Sequence, residues 1–235
     1  MPNKNGNVLF LILIAVALFA ALSYAITSSS RGSGTIDREN AAITASEISE
    51  YINNLRFGIK RLKIVNGCED RELNFNNPIE TGYNNTSAPT DGSCDVFGAK
   101  GANLTFSRPS AGTGADEPYY ITGIRYLKVG DDSLADIIIY LPLKNKAVCD
   151  AINNRHDLPT TNVAIDRITR TTYYDNVKFK GSFGSNHNRI PNDGGDTAAF
   201  EGKYEACLVS DTSDNTYYPG NLGIEYFYVA ILVAR

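Results

Sequence analysis

AAITASEISEYINNLRFGIKRLKIVNG, residues 41 to 67, is the stretch that decides the architecture. Its apolar residues fall at Ala41, Ala45, Ile48, Ile52, Leu55, Ile59 and Leu62, in steps that alternate four and three. That period gathers all seven on one side of an α-helix. Asn66-Gly67 supplies a stop, because glycine accepts the left-handed backbone that closes a last turn. Upstream, Thr35 or Asp37 suits the N-cap position, and Glu39 in the first turn complements the helix dipole. The predicted helix covers 36–67, about 46 Å at about 1.5 Å per residue. An apolar strip of that length needs a partner. The face of a β-sheet in the same chain is expected, with a homotypic coiled coil as the alternative.

Before this helix lies VLFLILIAVALFAALSYAI, residues 8 to 26, nineteen residues without a formal charge. As a helix it reaches about 28 Å, close to a hydrocarbon core of about 30 Å, so a transmembrane helix is expected over 7–30. A leader, residues 1 to 6, precedes it and holds Lys4 and Gly6. Ser23-Tyr24-Ala25 is a small-x-small triplet that a signal peptidase accepts, which would release the domain. Left uncut, the segment is a plain anchor oriented by Lys4. Between the two helices, 31–35 contains Gly32 and Gly34, each costing about 1 kcal/mol relative to alanine inside a helix, and a flexible interval is expected there.

A short leader with one basic residue and a terminal glycine, followed directly by an apolar helix, resembles the N-terminus of type IV pilin-like and pseudopilin-like proteins. The resemblance implies cleavage after Gly6 by a prepilin peptidase, with Asn7 as the mature N-terminus. It also implies a pilin-like α+β fold, in which a long N-terminal helix, membrane-spanning in its first half, packs on an antiparallel sheet. Major pilins carry glutamate at the fifth mature position, whereas this chain has Leu11. That departure points to a minor or tip subunit of a type IV pilus-like or type II secretion-like filament. The implied partners are other pilin subunits through the N-terminal helix, the inner membrane and the prepilin peptidase. The implied location is the bacterial inner membrane, with an exported periplasmic or cell-surface domain. A membrane-anchored or secreted binding or adhesion domain is the alternative, drawing on the anchor and on tyrosine-rich surfaces.

Of 235 residues, about 170 lie beyond the N-terminal helical region, enough for one medium domain with its own core. Net charge is −4 with 20% charged residues, which provides no basic face for nucleic acid. Fourteen tyrosines and no tryptophan suit a β-rich domain. Cys68, Cys94, Cys149 and Cys207 all follow the apolar segment, and an even number in an exported domain favours two disulfides. Four cysteines allow three connectivities. Proximity in sequence favours Cys68 with Cys94, closing a loop rich in Asn, Gly, Pro and Thr, and leaves Cys149 with Cys207. Free thiols in a cytosolic domain are the alternative.

Residues 68–235 form the expected disulfide-bonded β-rich domain. Glu69 to Pro118 reads as a turn-rich connection with short strands near Asp95–Phe97 and Asn103–Ser107. Its Asn84, Asn85 and Asn103 fit glycosylation acceptor patterns but read as turn residues. Tyr119–Val129 and Leu134–Leu141 flank Gly130-Asp131-Asp132-Ser133 and are expected to pair antiparallel. A short helix is predicted over 147–153, with Val148 and Ile152 on one side and Cys149 tying it to the sheet. Further strands are expected at Thr171–Phe183, Ala199–Val209 and Ile224–Val233. The last is nearly all apolar or aromatic and belongs at the centre of the sheet, against the long helix.

The chemistry-bearing motifs point away from catalysis. His156 and His187 are the only histidines and form no His-Glu-x-x-His pattern, and no phosphate loop ends in Lys-Ser or Lys-Thr. Gly181-Ser182-Phe183-Gly184-Ser185 lacks nucleophile-elbow spacing; His187 nearby leaves a serine hydrolase as the minor alternative, while Gly184 to Gly195, dense in Gly, Asn, Asp and Pro, reads as a mobile loop. Asp131, Asp132 and Asp136 form one acidic turn, and Asp193 with Asp196 another. The pilin resemblance makes Asp193 and Asp196 the better candidates for calcium. Neither turn matches a full ligand pattern, and solvated carboxylates are the plainer reading. No other cofactor is expected.

Overall fold

The computed structural model of the chain describes residues 5–29, 33–113, 118–126, 134–159, 164–165, 178–184, 188–189, 202–210 and 226–235. It divides into two compact units, 1–40 and 41–235. In the first, α1 runs from Asn5 to Ser29 and has no side more apolar than another. Its described side chains, 10 to 24, are all exposed, including Phe10, Val16, Phe19 and Leu22. Among the described residues no helix is long and apolar enough to cross a membrane. Those fifteen described side chains cover only about 22 Å, whereas the helical backbone of α1 covers 25 residues. The second helix, α2, begins at Ser33 and ends at Val65. It therefore starts earlier than Thr35, and Gly34 lies in its first turn; the local glycine cost is small beside what the rest of the helix gains by packing.

In the second unit the whole strip Ala41, Ala45, Ile48, Ile52, Leu55, Ile59 and Leu62 is buried, none more than 2% exposed. It enters one core with Ile121 of β1 (Tyr120–Tyr126), Ile137, Ile139 and Leu141 of β2 (Asp136–Leu143), and Tyr228, Ala230 and Leu232 of β6 (Tyr226–Val233). Each fully buried Ile or Leu contributes about 1.5–3 kcal/mol. The strip thus supplies a large share of the stability of this unit. At the helix end, Gly67 has φ +71° and the Cys68 N–H donates to the Leu62 carbonyl, so the stop works as its residue type requires.

The sheet has the order β3 (Ala164–Ile165), β5 (Glu205–Ser210), β6, β2, β1, β4 (Asn188–Arg189). Its inner four strands pair antiparallel: β1 with β2 (Tyr120 opposite Tyr140), β2 with β6 (Tyr140 opposite Val229), and β6 with β5, Glu205–Ser210 (Val229 opposite Ala206). The expectation of a purely antiparallel sheet needs correcting at its margins. β3 (Ala164–Ile165) and β4 (Asn188–Arg189) are two-residue strands that run parallel to β5 and β1. Alternation sends Ile138, Tyr140, Ala206, Leu208, Phe227, Val229 and Ile231 to the other side of the sheet, where they are also buried, with Leu158 packed among them. Burial on both faces is why β2 and β6 read as continuous apolar runs. The turn at 130–133 lies outside the described residues.

The helix expected over 147–153 is α3, Lys146–Arg155, capped by the Asn145 side chain, which accepts from the Ala147 N–H. Cys149 on α3 is joined to Cys207 on β5, with Cα atoms 5.2 Å apart. The strand expected at Thr171–Phe183 is not present in its described part. Residues 178–184 lie along β1 with two backbone bonds, Phe179 N–H to Ile121 and Gly184 N–H to Gly123, too few for a ladder. Gly123 permits this approach, because a Cβ there would meet the Phe179 ring at 2.7 Å.

Residues 68–113 form no strands, only an isolated bridge between Asn74 and Asp95, so the strands expected near 95–97 and 103–107 are absent. The backbone polar groups here are satisfied locally. The Val96 N–H donates to the Asn74 carbonyl and the Asn74 N–H to the Cys94 carbonyl, Asn74 Nδ2 donates to Asp95 Oδ1 at 2.7 Å, and Asn85 Nδ2 donates to the Arg71 and Leu73 carbonyls. Asn85 is 4% exposed and spent on these bonds, and Asn103 sits at φ 54°, so both are turn residues. Cys68 is bonded to Cys94. Leu73, Phe75, Tyr83, Val96 and Phe106 join the main core, so this connection is a packed layer rather than a surface excursion.

Candidate functional site

Gly6 and Asn7 belong to the helical backbone of α1, and Leu11 is 59% exposed on it. Asp193, Asp196, Asp131, Asp132, Ser185 and His187 lie outside the described residues. Asp136 is not a turn carboxylate, which corrects that reading. It starts β2, is fully buried, and accepts from the Arg235 N–H at 3.0 Å. Among the described residues no group of His, Cys, Asp or Glu is arranged to hold a metal ion. All four cysteines are consumed in the two disulfides, which removes thiol chemistry.

The polar centre that sequence reading missed is assembled from four distant segments. Glu205, 5% exposed at the start of β5, receives the hydroxyl of fully buried Tyr228 from β6. His156 Nε2 comes within 3.0 Å of Glu205 Oε1 without hydrogen-bond alignment. Arg56 of α2 stands 4.0 Å from the same oxygen and donates to the Ile231 and Tyr204 carbonyls at 2.7 and 2.9 Å. Burial, and then the charge of Glu205, pushes the Tyr228 phenol well above its ordinary value. The phenol is therefore a fixed hydrogen-bond donor. The cluster ties α2 to β5 and β6, with Glu205 and Tyr228 buried and the Arg56 and His156 side chains 22% and 29% exposed at its margin.

A cleft of about 410 Å³ opens at the C-terminal end of α2, lined by Lys63, Cys68, Asp70, Arg71, Phe183 and Arg235 among others. Lys63 reaches Asp70 at 2.6 Å, Arg235 Nε stands 3.9 Å from the same carboxylate, and the Arg235 guanidinium lies 3.9 Å over the Phe183 ring. Asp70 thus offsets two cations, while the ring covers one of them. This leaves a polar notch with paired charges and no nucleophile with an adjacent base.

No protein-family model, curated protein or solved structure matches this chain significantly.

Proposed function

We propose that this chain is a non-catalytic structural subunit, of the minor or tip kind, in a pilin-like or pseudopilin-like filament, held in the inner membrane by α1 with unit 41–235 exported. One observation carries the reading. The seven-residue strip of α2 is used up on the antiparallel sheet of its own chain, while the apolar side chains of α1 described upstream are exposed on every side. An element of that kind is stable only in lipid or against other apolar helices, and Val8–Ile26 has the length for both. The two disulfides suit an oxidising compartment. Leu11 in place of a glutamate removes the carboxylate that would offset a buried N-terminal amine, and this gives the subunit its minor role.

Intact mass and N-terminal sequencing of the protein extracted from membranes test the proposal. A chain beginning at Asn7 with α1 retained is expected, together with its loss from filaments when Gly6 is replaced by a bulky residue. Leu11→Glu is expected to raise incorporation. A chain beginning at Ile26 would establish a released, soluble binding domain, and an uncut Met1 a plain anchor; either refutes the filament assignment.

A further inference from the structure

The cleft at the C-terminal end of α2 gathers three cations, and one of them has no counter-charge. Lys63 and Arg235 share Asp70, whereas the Arg71 guanidinium makes no ion pair or hydrogen bond among the described residues. Glu69 is the other acid in the lining, so cations outnumber carboxylates there. Lysine and arginine side chains carry donors and no acceptor, and the donors left over take their acceptors from solvent or from a ligand.

The backbone beneath these side chains is held from several directions. Cys68 is tied to Cys94, the Glu69 N–H donates to Glu72 Oε2 at 2.8 Å across the turn Asp70–Glu72, and Asn85 Nδ2 donates to the Arg71 carbonyl at 2.7 Å. Arg235 is fixed twice, by its N–H on buried Asp136 and by its guanidinium stacked 3.9 Å from the centre of the Phe183 ring. A stacked guanidinium keeps its edge of N–H groups available, and that edge matches two oxygens of a carboxylate or phosphate. The Asp70 and Arg235 side chains are also partly buried, so an anion entering between them is screened less than on open surface. A rigid, cation-rich wall costs a ligand little ordering on binding. The volume, about 410 Å³, falls in the range of about 300–1,000 Å³ typical of small-molecule sites, and an inorganic ion would leave most of it unfilled.

We propose that this cleft binds a small organic anion through a carboxylate or phosphate group. Arg71 and Arg235 grip the oxyanion, and Lys63, positioned by Asp70, adds its charge. The body of the ligand lies along Phe183 and Cys68. The site belongs to unit 41–235 alone, so it stands whether the mature chain begins at Met1, Asn7 or Ile26.

Isothermal titration calorimetry of the full chain in a non-ionic detergent tests this, with glutarate in one arm and glycerol 3-phosphate in the other. One saturable site per chain is expected, and the arm with the higher affinity identifies the oxyanion. Arg71→Gln should weaken binding about tenfold or more, the scale of one charge-assisted hydrogen bond. Lys60→Gln removes an exposed cation of α2 outside the cleft and should leave the affinity unchanged. Arg71 is exposed and its side chain holds nothing else in place, so Arg71→Gln should keep the parent circular dichroism spectrum. No saturable heat in either arm with ligand up to about 10 mM would overturn the proposal. So would equal affinity in Arg71→Gln and the parent chain, or equal weakening by Arg71→Gln and Lys60→Gln, which would reduce the effect to net charge.

Discussion

Raising the pH from 8 to 11 is expected to destabilise unit 41–235 through its buried phenols. Tyr228 is fully buried with its hydroxyl on Glu205, and burial followed by that carboxylate's charge pushes its ionisation far up. Tyr119, 2% exposed, is pushed up chiefly by burial. Tyr51, with its ring centroid 4.9 Å from that of Tyr119, is raised by burial and partly brought back by the hydrogen bond it accepts from the Ser107 N–H. In the unfolded chain each phenol ionises near pH 10. The stabilisation from holding it neutral in the fold is therefore complete below pH 10 and is lost as pH rises through 10 toward the folded value. At pH 11 an unfolded phenol gains about 1.4 kcal/mol that a still-neutral folded one does not, so Tyr228 and Tyr119 together remove about 2.8 kcal/mol. Against a total of about 5–15 kcal/mol this is a large loss. Urea unfolding of a fragment beginning at Ser33, followed by circular dichroism at pH 8, 10 and 11, measures it. Tyr228→Phe should cost about 1–3 kcal/mol at pH 8, because buried Glu205 loses a donor. The same variant should fall by about 1.4 kcal/mol less between pH 8 and 11. An identical pH dependence in the native fragment, Tyr228→Phe and Tyr119→Phe would refute the reasoning.

Two further outcomes concern packing and covalent ties. Gly58→Val should lose about 1–3 kcal/mol by overpacking, read as a lower urea midpoint, because a Cβ there would stand 2.5 Å from Leu104 Cδ1; an unchanged midpoint would show that the 102–104 loop yields freely. Non-reducing peptide mapping should recover Cys68 with Cys94 and Cys149 with Cys207. Replacing Cys149 and Cys207 by alanine should cost about 4 kcal/mol for a closed loop of this separation, and any other pairing would contradict the α3–β5 tie.

How much of this molecule was legible in its sequence depends on whether the information is periodic or relational. The strip from Ala41 to Leu62 announced its face because a 3.6-residue repeat fixes which side chains share a side, and all seven positions are buried. β1, β2, α3 and β6 were readable for the same kind of reason, and β6 takes the interior place its apolar run called for. The two disulfides agree with the pairing that proximity favoured. The turn-rich reading of 68–113 holds, but its short strands are absent and its packing into the core was not legible, because Asn, Gly and Asp carry no period; only glycine fits at 101, where a Cβ would lie 1.9 Å from the Asp95 carbonyl oxygen. The start of α2 at Ser33 was missed because packing elsewhere in a helix outweighs the one glycine, Gly34, in its first turn. The largest omission is the Glu205 centre. Arg56, His156, Glu205 and Tyr228 each look unremarkable where they stand, separated by up to 172 positions. A charge in a strand signals exposure until the fold lays a helix over it. Local periodicity alone told which faces the elements would bury; which buried polar groups meet was decided only when α2 closed over β5 and β6, because burial of a carboxylate is tolerated only where donors from other segments converge on it.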